Sequence, residues 1–281
     1  MNVITASSMD VLCIEAIKFI KTHGYAVKTR QGPAQQVHDL TLLLSDSRRR
    51  LLTLRAPDSL KYLAREFLAY FRGSLRARDG LQQAARRWRE IADQYGYVNS
   101  NYGYYVFHER PRGQSQFQWV LDCLSRNLQS RRALININQP WHKDPDGADF
   151  PCAVAAHFFV ADDYLNCRVY MRSVDVVWGV PYDLAFFAFV TELLFYSLLP
   201  IAPAIRLGST AVVATFSQIY VRTADLADNT LAARPKLDDT MPQVADAATV
   251  LNDIYSDSTN SAILKWLHEM ADFQAVSGPR T

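Results

Sequence analysis

The stretch "YDLAFFAFVTELLFYSLL", residues 182 to 199, has the spacing of a helix but no wet face. A helix apolar on every side is stable only when it is surrounded. The run continues to Ala204 but is interrupted by Thr191, Glu192, Pro200 and Pro203, which reads as a buried helix rather than a membrane span. Enclosing such a helix demands apolar surface elsewhere. The chain has it, with 281 residues of which 49% are hydrophobic, and disorder is excluded. Net charge is +2 with the charges interspersed, which argues against a general nucleic-acid or membrane-surface binder. The first nineteen residues lack a basic region followed by an unbroken apolar stretch, so no signal peptide is expected. Cys13, Cys123, Cys152 and Cys167 show neither CxxC spacing nor a histidine-rich cluster, so no metal is expected and a reducing cytoplasm is.

Around the buried helix, periodicity predicts helices over 9–22 (ending at Gly24), over "SLKYLAREFLAYFRGS" (closed by Gly73), over 80–94, over "SQFQWVLDCLSRNLQS" and near 259–273. Strands are expected at "VHDLTLLL", "RRLLTLRAP", "RRALININQPW", "CAVAAHFFVA", "NCRVYMRSVDVVW" and "STAVVATFSQIYVRT". A tyrosine-dense loop, "YGYVNSNYGYYVF", precedes the fourth helix. Residues 231–244 read as a surface excursion and Arg48-Arg49-Arg50 as a solvated hairpin end. No repeat or linker divides the chain, so a single domain over 1–281 is expected.

Four features carry chemistry. Cys152 follows Pro151 at the head of an apolar strand; a lone strand cysteine is most often a small core residue. Arg131-Arg132 runs into a β segment, and Arg172-Ser173 lies in another; guanidinium forks suit phosphate oxygens, although most arginines solvate a surface. Tyr102-Gly103 sits in the aromatic loop, ordinarily as packing. Asp183 stands at the mouth of the apolar helix, where an N-cap worth about 1 kcal/mol is the plain explanation. His157 reads as a satisfied histidine of an apolar strand. The loop with His142, Asp144 and Asp146 is too rich in turn residues to suggest a metal site, and Cys13, Cys123 and Cys167 read as core cysteines.

The order of these features is specific. "SRRALININQ", then "DFPCAVAAHFFV", then "CRVYMRSVDVVWGVPYDLAFFAFV" resembles the thymidylate synthase superfamily, with its SRR turn, PC nucleophile and RSxDxxxGxPxN segment. "REFLAYFRG" is similar to the helix bearing that family's catalytic glutamate, and "FSQIY" to its sugar-contacting strand. The resemblance implies an α+β fold, a large mixed β-sheet covered by helices, with one sheet face forming a homodimer interface. It implies that Cys152 adds to C6 of a pyrimidine nucleoside monophosphate, its thiolate favoured by Arg172. Arg172 and Ser173, with Arg131 and Arg132 reaching across the dimer interface, would hold the 5′-phosphate, joined by Arg30 of "KTRQG". Glu66 would organise the water for proton transfer, Tyr102 would help remove the C5 proton, and Gln218 and Tyr220 would meet the sugar. The co-substrate implied is 5,10-methylenetetrahydrofolate, with Asp175 on the pterin, Trp88 shielding the exocyclic methylene, and Ile91 and Gly179 lining the folate side. No nucleic-acid or membrane partner is implied.

The departures from the pattern are informative. Ala153 stands where the synthases have histidine, Met171 where they have glutamine, Gln218 where they have histidine, and Ile91 where a second tryptophan is frequent. The C-terminus, "AVSGPRT", lacks the apolar closing tail. Above all, the base-reading asparagine is Asp183. An amide accepts from N3–H of uracil and donates to O4, whereas a protonated carboxyl donates to N3 of cytosine and accepts from its amine. An apolar setting favours the protonated form. These changes point to the cytidylate hydroxymethylase branch, acting on dCMP in preference to CMP and trapping the methylene with water. A pyrimidine methyltransferase of the synthase type is the alternative, and a non-catalytic nucleotide-binding dimer a remoter one.

Overall fold

The structure is a computed structural model that describes residues 2–144, 147–235 and 240–272. In chain order it comprises β1 (Asn2–Ala6), α1 (Met9–His23), β2 (Tyr25–Thr29), β3 (Gly32–Leu44), α2 (Asp58–Arg72), α3 (Leu81–Ala84), α4 (Arg87–Glu90), α5 (Gln116–Arg126), β4 (Leu134–Asn136), β5 (Ala153–Ala161), β6 (Tyr164–Asp175), α6 (Val180–Leu198), β7 (Arg206–Tyr220), α7 (Ala224–Ala232), α8 (Ala247–Ser256) and α9 (Ala262–Asp272). The strands form one sheet in the order β1-β3-β7-β6-β5-β4, with β2 pairing the first half of β3. β1 pairs β3 in parallel and β6 pairs β7 in parallel, while the remaining pairs are antiparallel. The expected mixed sheet covered by helices is therefore what forms.

The apolar stretch is α6, the crossover between the parallel strands β6 and β7. By length and composition it could cross a membrane, but most of it is buried within the protein against the sheet. Phe186, Phe187 and Phe189 are fully buried, and Phe67 of α2 meets Phe186 and Phe189 edge-on or tilted at 5.6 and 5.8 Å. Burial of three such rings contributes several kcal/mol.

Glu192 is the exception inside this helix. It is 0% exposed and ion-pairs with Arg50 at 2.6 Å, with Arg48 further off at 3.7 Å. The basic run expected to be a wet hairpin end therefore plugs into the core, because a buried carboxylate needs a counter-charge. "RRLLTLRAP" is likewise not a strand. Asp10 of α1 accepts from the backbone N–H of Thr53 at 2.7 Å and of Leu54 at 3.3 Å, so those groups satisfy a side chain rather than a ladder.

The helix expected over 80–94 is two single turns, α3 and α4, separated by Ala85 in an extended conformation (φ −153°, ψ 147°). Residues 231–244 are not all surface, since Met241 and Val244 are buried. β1 and β2 escape sequence reading because both are short strands with largely exposed residues and no alternation. α7 and α8, of nine and ten residues, are further helices that the sequence reading does not anticipate. α2 behaves as its pattern predicts, and Gly73 closes it in the left-handed region at φ 63°.

Candidate functional site

A cavity of about 690 Å3 opens beside the ends of β5, β6 and β7, where the first turn of α6 meets α2 and the β2–β3 hairpin. It gathers residues far apart in the chain. Cys152, Glu66, Tyr102, Asp183, Arg30, Arg172, Ser173, Gln218, Tyr220, Trp88, Ile91, Asp175 and Gly179 all line it. Arg131 and Arg132 do not. They are exposed in the turn before β4, where the Arg132 guanidinium stacks 5.1 Å from the Trp119 ring.

Cys152 sits immediately before β5. Its Sγ is 3.8 Å from Ser173 Oγ, and its carbonyl accepts from the Arg172 N–H at 3.0 Å. Burial pushes the thiol above its ordinary value, and Arg172 opposes this without overcoming it. The sequence expectation of a depressed thiol is thus not met in this state of the chain. The Arg172 guanidinium donates to the carbonyls of Pro151 (3.0 Å) and Phe150 (2.6 Å) and to Ser173 Oγ (3.1 Å). Arg30 is similarly engaged, donating to the carbonyls of Gly147 and Ala148 at 3.1 and 2.7 Å. Both cations therefore brace the segment leading to Cys152.

Asp183 is not an N-cap. The helix begins at Val180 with Gly179 in the capping position, so Asp183 falls at the end of the first turn. The carboxyl makes no side-chain hydrogen bond with any described residue. Burial pushes its pKa well above the usual carboxylate range, and the nearby charges of Glu66 and Asp175 push it further. Glu66, at the middle of α2, is 3% exposed and accepts from the Tyr62 hydroxyl at 2.8 Å on Oε1. Its Oε2 has no partner among the described residues, and burial raises its pKa to about 7.

Tyr102 is held by the backbone around it. The next residue, Gly103, packs so closely on α2 that a Cβ there would lie 2.0 Å from the Tyr70 carbonyl oxygen. The Tyr102 hydroxyl accepts from the Ala153 N–H at 3.4 Å, and burial, with Asp183 and then Cys152 nearby, raises its pKa far above the ordinary phenol value. Asp175 accepts from the N–H groups of Val177 and Trp178 at 2.8 and 3.2 Å, capping the turn that leads into α6. Gln218 donates to Gln36 at 2.7 Å, and Gln36 donates to the Tyr25 hydroxyl at 2.8 Å. Tyr25, Gln36, Gln218 and Asp175 are successive cross-strand partners, one row across four strands.

Sequence reasoning missed several of these side chains. Tyr62 and Tyr70 bracket Glu66 at i−4 and i+4, a spacing on one helical face that could have been read. Asp149 accepts from the N–H groups of Asn99 and Ser100 and from the Ser100 hydroxyl, tying the tyrosine loop to the cysteine segment. Gln36 and Trp178 gave no local signal. The C-terminal "AVSGPRT" and Asp146 lie outside the described residues.

The chain belongs to the thymidylate synthase family, whose sequence model matches residues 14–255. Among its relatives is a deoxycytidylate 5-hydroxymethyltransferase of Enterobacteria phage T4, 31% identical over 136 residues. That alignment takes in 47% of this chain and 54% of the relative, so the chain spans about half the length of the curated relative it matches.

Proposed function

We propose that the chain catalyses folate-dependent 5-hydroxymethylation of a cytidine monophosphate, with dCMP favoured over CMP. The observation that carries this reading is Asp183, a cavity-lining carboxyl without a hydrogen-bond partner among the described residues and held toward its protonated form. Protonated, it donates to N3 of cytosine and accepts from the C4 amine. Uracil would set its O4 against a carboxyl lone pair, an expensive mismatch. The relative's name, a deoxycytidylate 5-hydroxymethyltransferase, supports the same choice.

In this reading Cys152 adds through Sγ to C6, and proton donation from Asp183 to N3 draws density from the ring. The cavity suits a second, flat ligand beside the nucleotide: Trp88, Ile91 and Trp178 wall it and the second oxygen of Glu66 is unpartnered. Trp88, Ile91, Asp175 and Gly179 would hold methylenetetrahydrofolate, which supplies the one-carbon unit when bound. Tyr102 helps remove the C5 proton, and Glu66 holds the water that adds to the exocyclic methylene left on the pyrimidine; the C6–Sγ bond then breaks, which restores the pyrimidine double bond and frees Cys152. Arg30, Arg172 and Ser173 hold the phosphate, and Gln218 and Tyr220 meet the sugar. Arg131 and Arg132 would act on the phosphate of the partner subunit in a cytoplasmic homodimer. Val154 and Tyr170 on the outer face of the sheet, 42% and 43% exposed, give that dimer an apolar surface to cover.

The test is to incubate the protein with dCMP, CMP and dUMP in turn, together with methylenetetrahydrofolate, and weigh the products. A hydroxymethylated cytidylate with tetrahydrofolate is expected. A methylated product with stoichiometric dihydrofolate would establish the methyltransferase reading instead, and preference for dUMP would overturn the role of Asp183.

A further inference from the structure

Glu66 lies between two tyrosines at one-turn intervals on α2, and the two differ in what they do. The Tyr62 hydroxyl is hydrogen-bonded to Oε1 at 2.8 Å, whereas the Tyr70 phenol is close enough to favour the carboxylate but leaves Oε2 without a bond of good geometry. The Tyr62 hydroxyl is the donor in the bond to Glu66, since a carboxylate oxygen only accepts. The Trp88 indole, which can only donate, acts on the Tyr62 phenol from its other side and lowers its pKa against burial.

A carboxyl oxygen that accepts the Tyr62 proton is not the oxygen that carries a proton of its own. We propose that Tyr62 is a positioning residue that occupies Oε1 of Glu66, so that Glu66 gains and loses its proton on Oε2, the oxygen left for a water or substrate in the cavity. The inference rests on the reading of this cavity as a pyrimidine-modifying site. It adds that one of the two Glu66 oxygens is chemically reserved, and that the wall residue Trp88 is wired to the carboxyl that moves protons.

Tyr62 is well placed to hold this position. Its ring packs on Tyr182 with centroids 4.4 Å apart and on the edge of Trp178 at 5.8 Å, so the phenol cannot swing away without breaking both contacts. The titratable groups that sense Glu66 are Tyr62 and Tyr70 on its own helix and Tyr182 and Asp183 on α6. α9 also packs on α2, and among the described residues none of its charged groups pairs with Glu66. A bond from Tyr62 favours the ionised carboxyl, opposing the burial that raises it to about 7.

The test reads Glu66 directly in the free protein, so it does not depend on which nucleotide is turned over. Isotope-edited infrared titration of the glutamate carboxyl bands, with Glu66→Gln to assign the signal, gives the protonation midpoint of Glu66. Tyr62→Phe should move that midpoint upward by about one pH unit, the size expected when one hydrogen bond to a charged group is lost. Trp88→Phe, which leaves Tyr62 in place but weakens its donation, should move it in the same direction by less. Should Tyr62→Phe fail to fold, the Trp88→Phe titration decides alone. An unmoved or lowered midpoint in the folded variants overturns the inference. Release of the C5 proton from tritiated dCMP is then measured across pH in the same proteins. No release from the unaltered protein would count against the pyrimidine reading and leave the infrared result to judge Tyr62 by itself.

Discussion

Arg50 and Glu192 meet at 2.6 Å inside the core, each side chain 1% exposed, and Arg50 also lies 5.9 Å from the Phe189 ring. Removing one partner of such a pair strands the other charge in apolar surroundings. Glu192→Ala should therefore lose roughly 3–5 kcal/mol in denaturant unfolding. Arg50→Met combined with Glu192→Leu should recover most of that loss, because a well-packed apolar pair needs no counter-charge. A double variant no more stable than the single one would show that the pair holds the 241–244 segment as well as itself; Arg50 reaches the Met241 sulfur at 3.4 Å.

Asp183→Asn is expected to move turnover from cytosine toward uracil nucleotides. The amide replaces a donor at the N3 position with a group that can serve as acceptor, reversing the match. The ratio of kcat/KM for dCMP and dUMP is the measurement, and a change on the order of 100-fold in that ratio corresponds to one mispaired buried group. An unchanged ratio would remove Asp183 from base recognition.

Glu66 gives a stability prediction with a definite sign. Its pKa is raised from 4.5 to about 7 by burial, so the folded state binds its proton more tightly than the unfolded chain does. The favourable contribution is present below pH 4.5 and is lost as pH rises through about 7. Measured against Glu66→Gln, the unaltered protein should lose on the order of 3 kcal/mol across that window. Denaturant midpoints at pH 4, 6 and 8 for both proteins check it; parallel curves would be the contrary result.

Cys152 should be a slow nucleophile in the free protein. With its thiol raised by burial, iodoacetamide alkylation followed by mass spectrometry should accelerate only above the ordinary thiol range. Arg172→Met removes the group that opposes the rise and should slow alkylation of Cys152 further at a given pH. Cys13 and Cys167, buried with thiols pushed to about 12, should stay unmodified while the protein is folded.

The mixed sheet, the buried α6 and the family were legible in the sequence because each rests on long or ordered signals: an apolar helix without a wet face and a set of motifs in fixed order. The cavity gathers the thirteen residues expected to act within one chain, Arg131 and Arg132 having been expected across an interface, since the ordering of motifs carries position as well as identity. What stayed hidden depends on pairing across distance. Arg50 looks like a surface residue until Glu192 is seen opposite it, and Thr53 looks like strand until Asp10 takes its N–H. The engagement of Arg172 with the carbonyls of Phe150 and Pro151 has no sequence signature at all, and neither has the burial that outweighs Arg172 at the Cys152 thiol.

The row Tyr25–Gln36–Gln218–Asp175 has a consequence for how this site can be lost. A one-residue slip of β3 against β7 would set Gln35 or Val37 opposite Gln218, and every side chain of β3 would change face. With Val37 there, that end of the cavity would have an apolar neighbour where an amide stood, while Cys152, just before β5, remained untouched. Alignment of the N-terminal hairpin, remote in sequence from the thiol, is thus a folding checkpoint for the cavity: a misaligned molecule would keep Cys152 in place and lose the amide row proposed to meet a sugar.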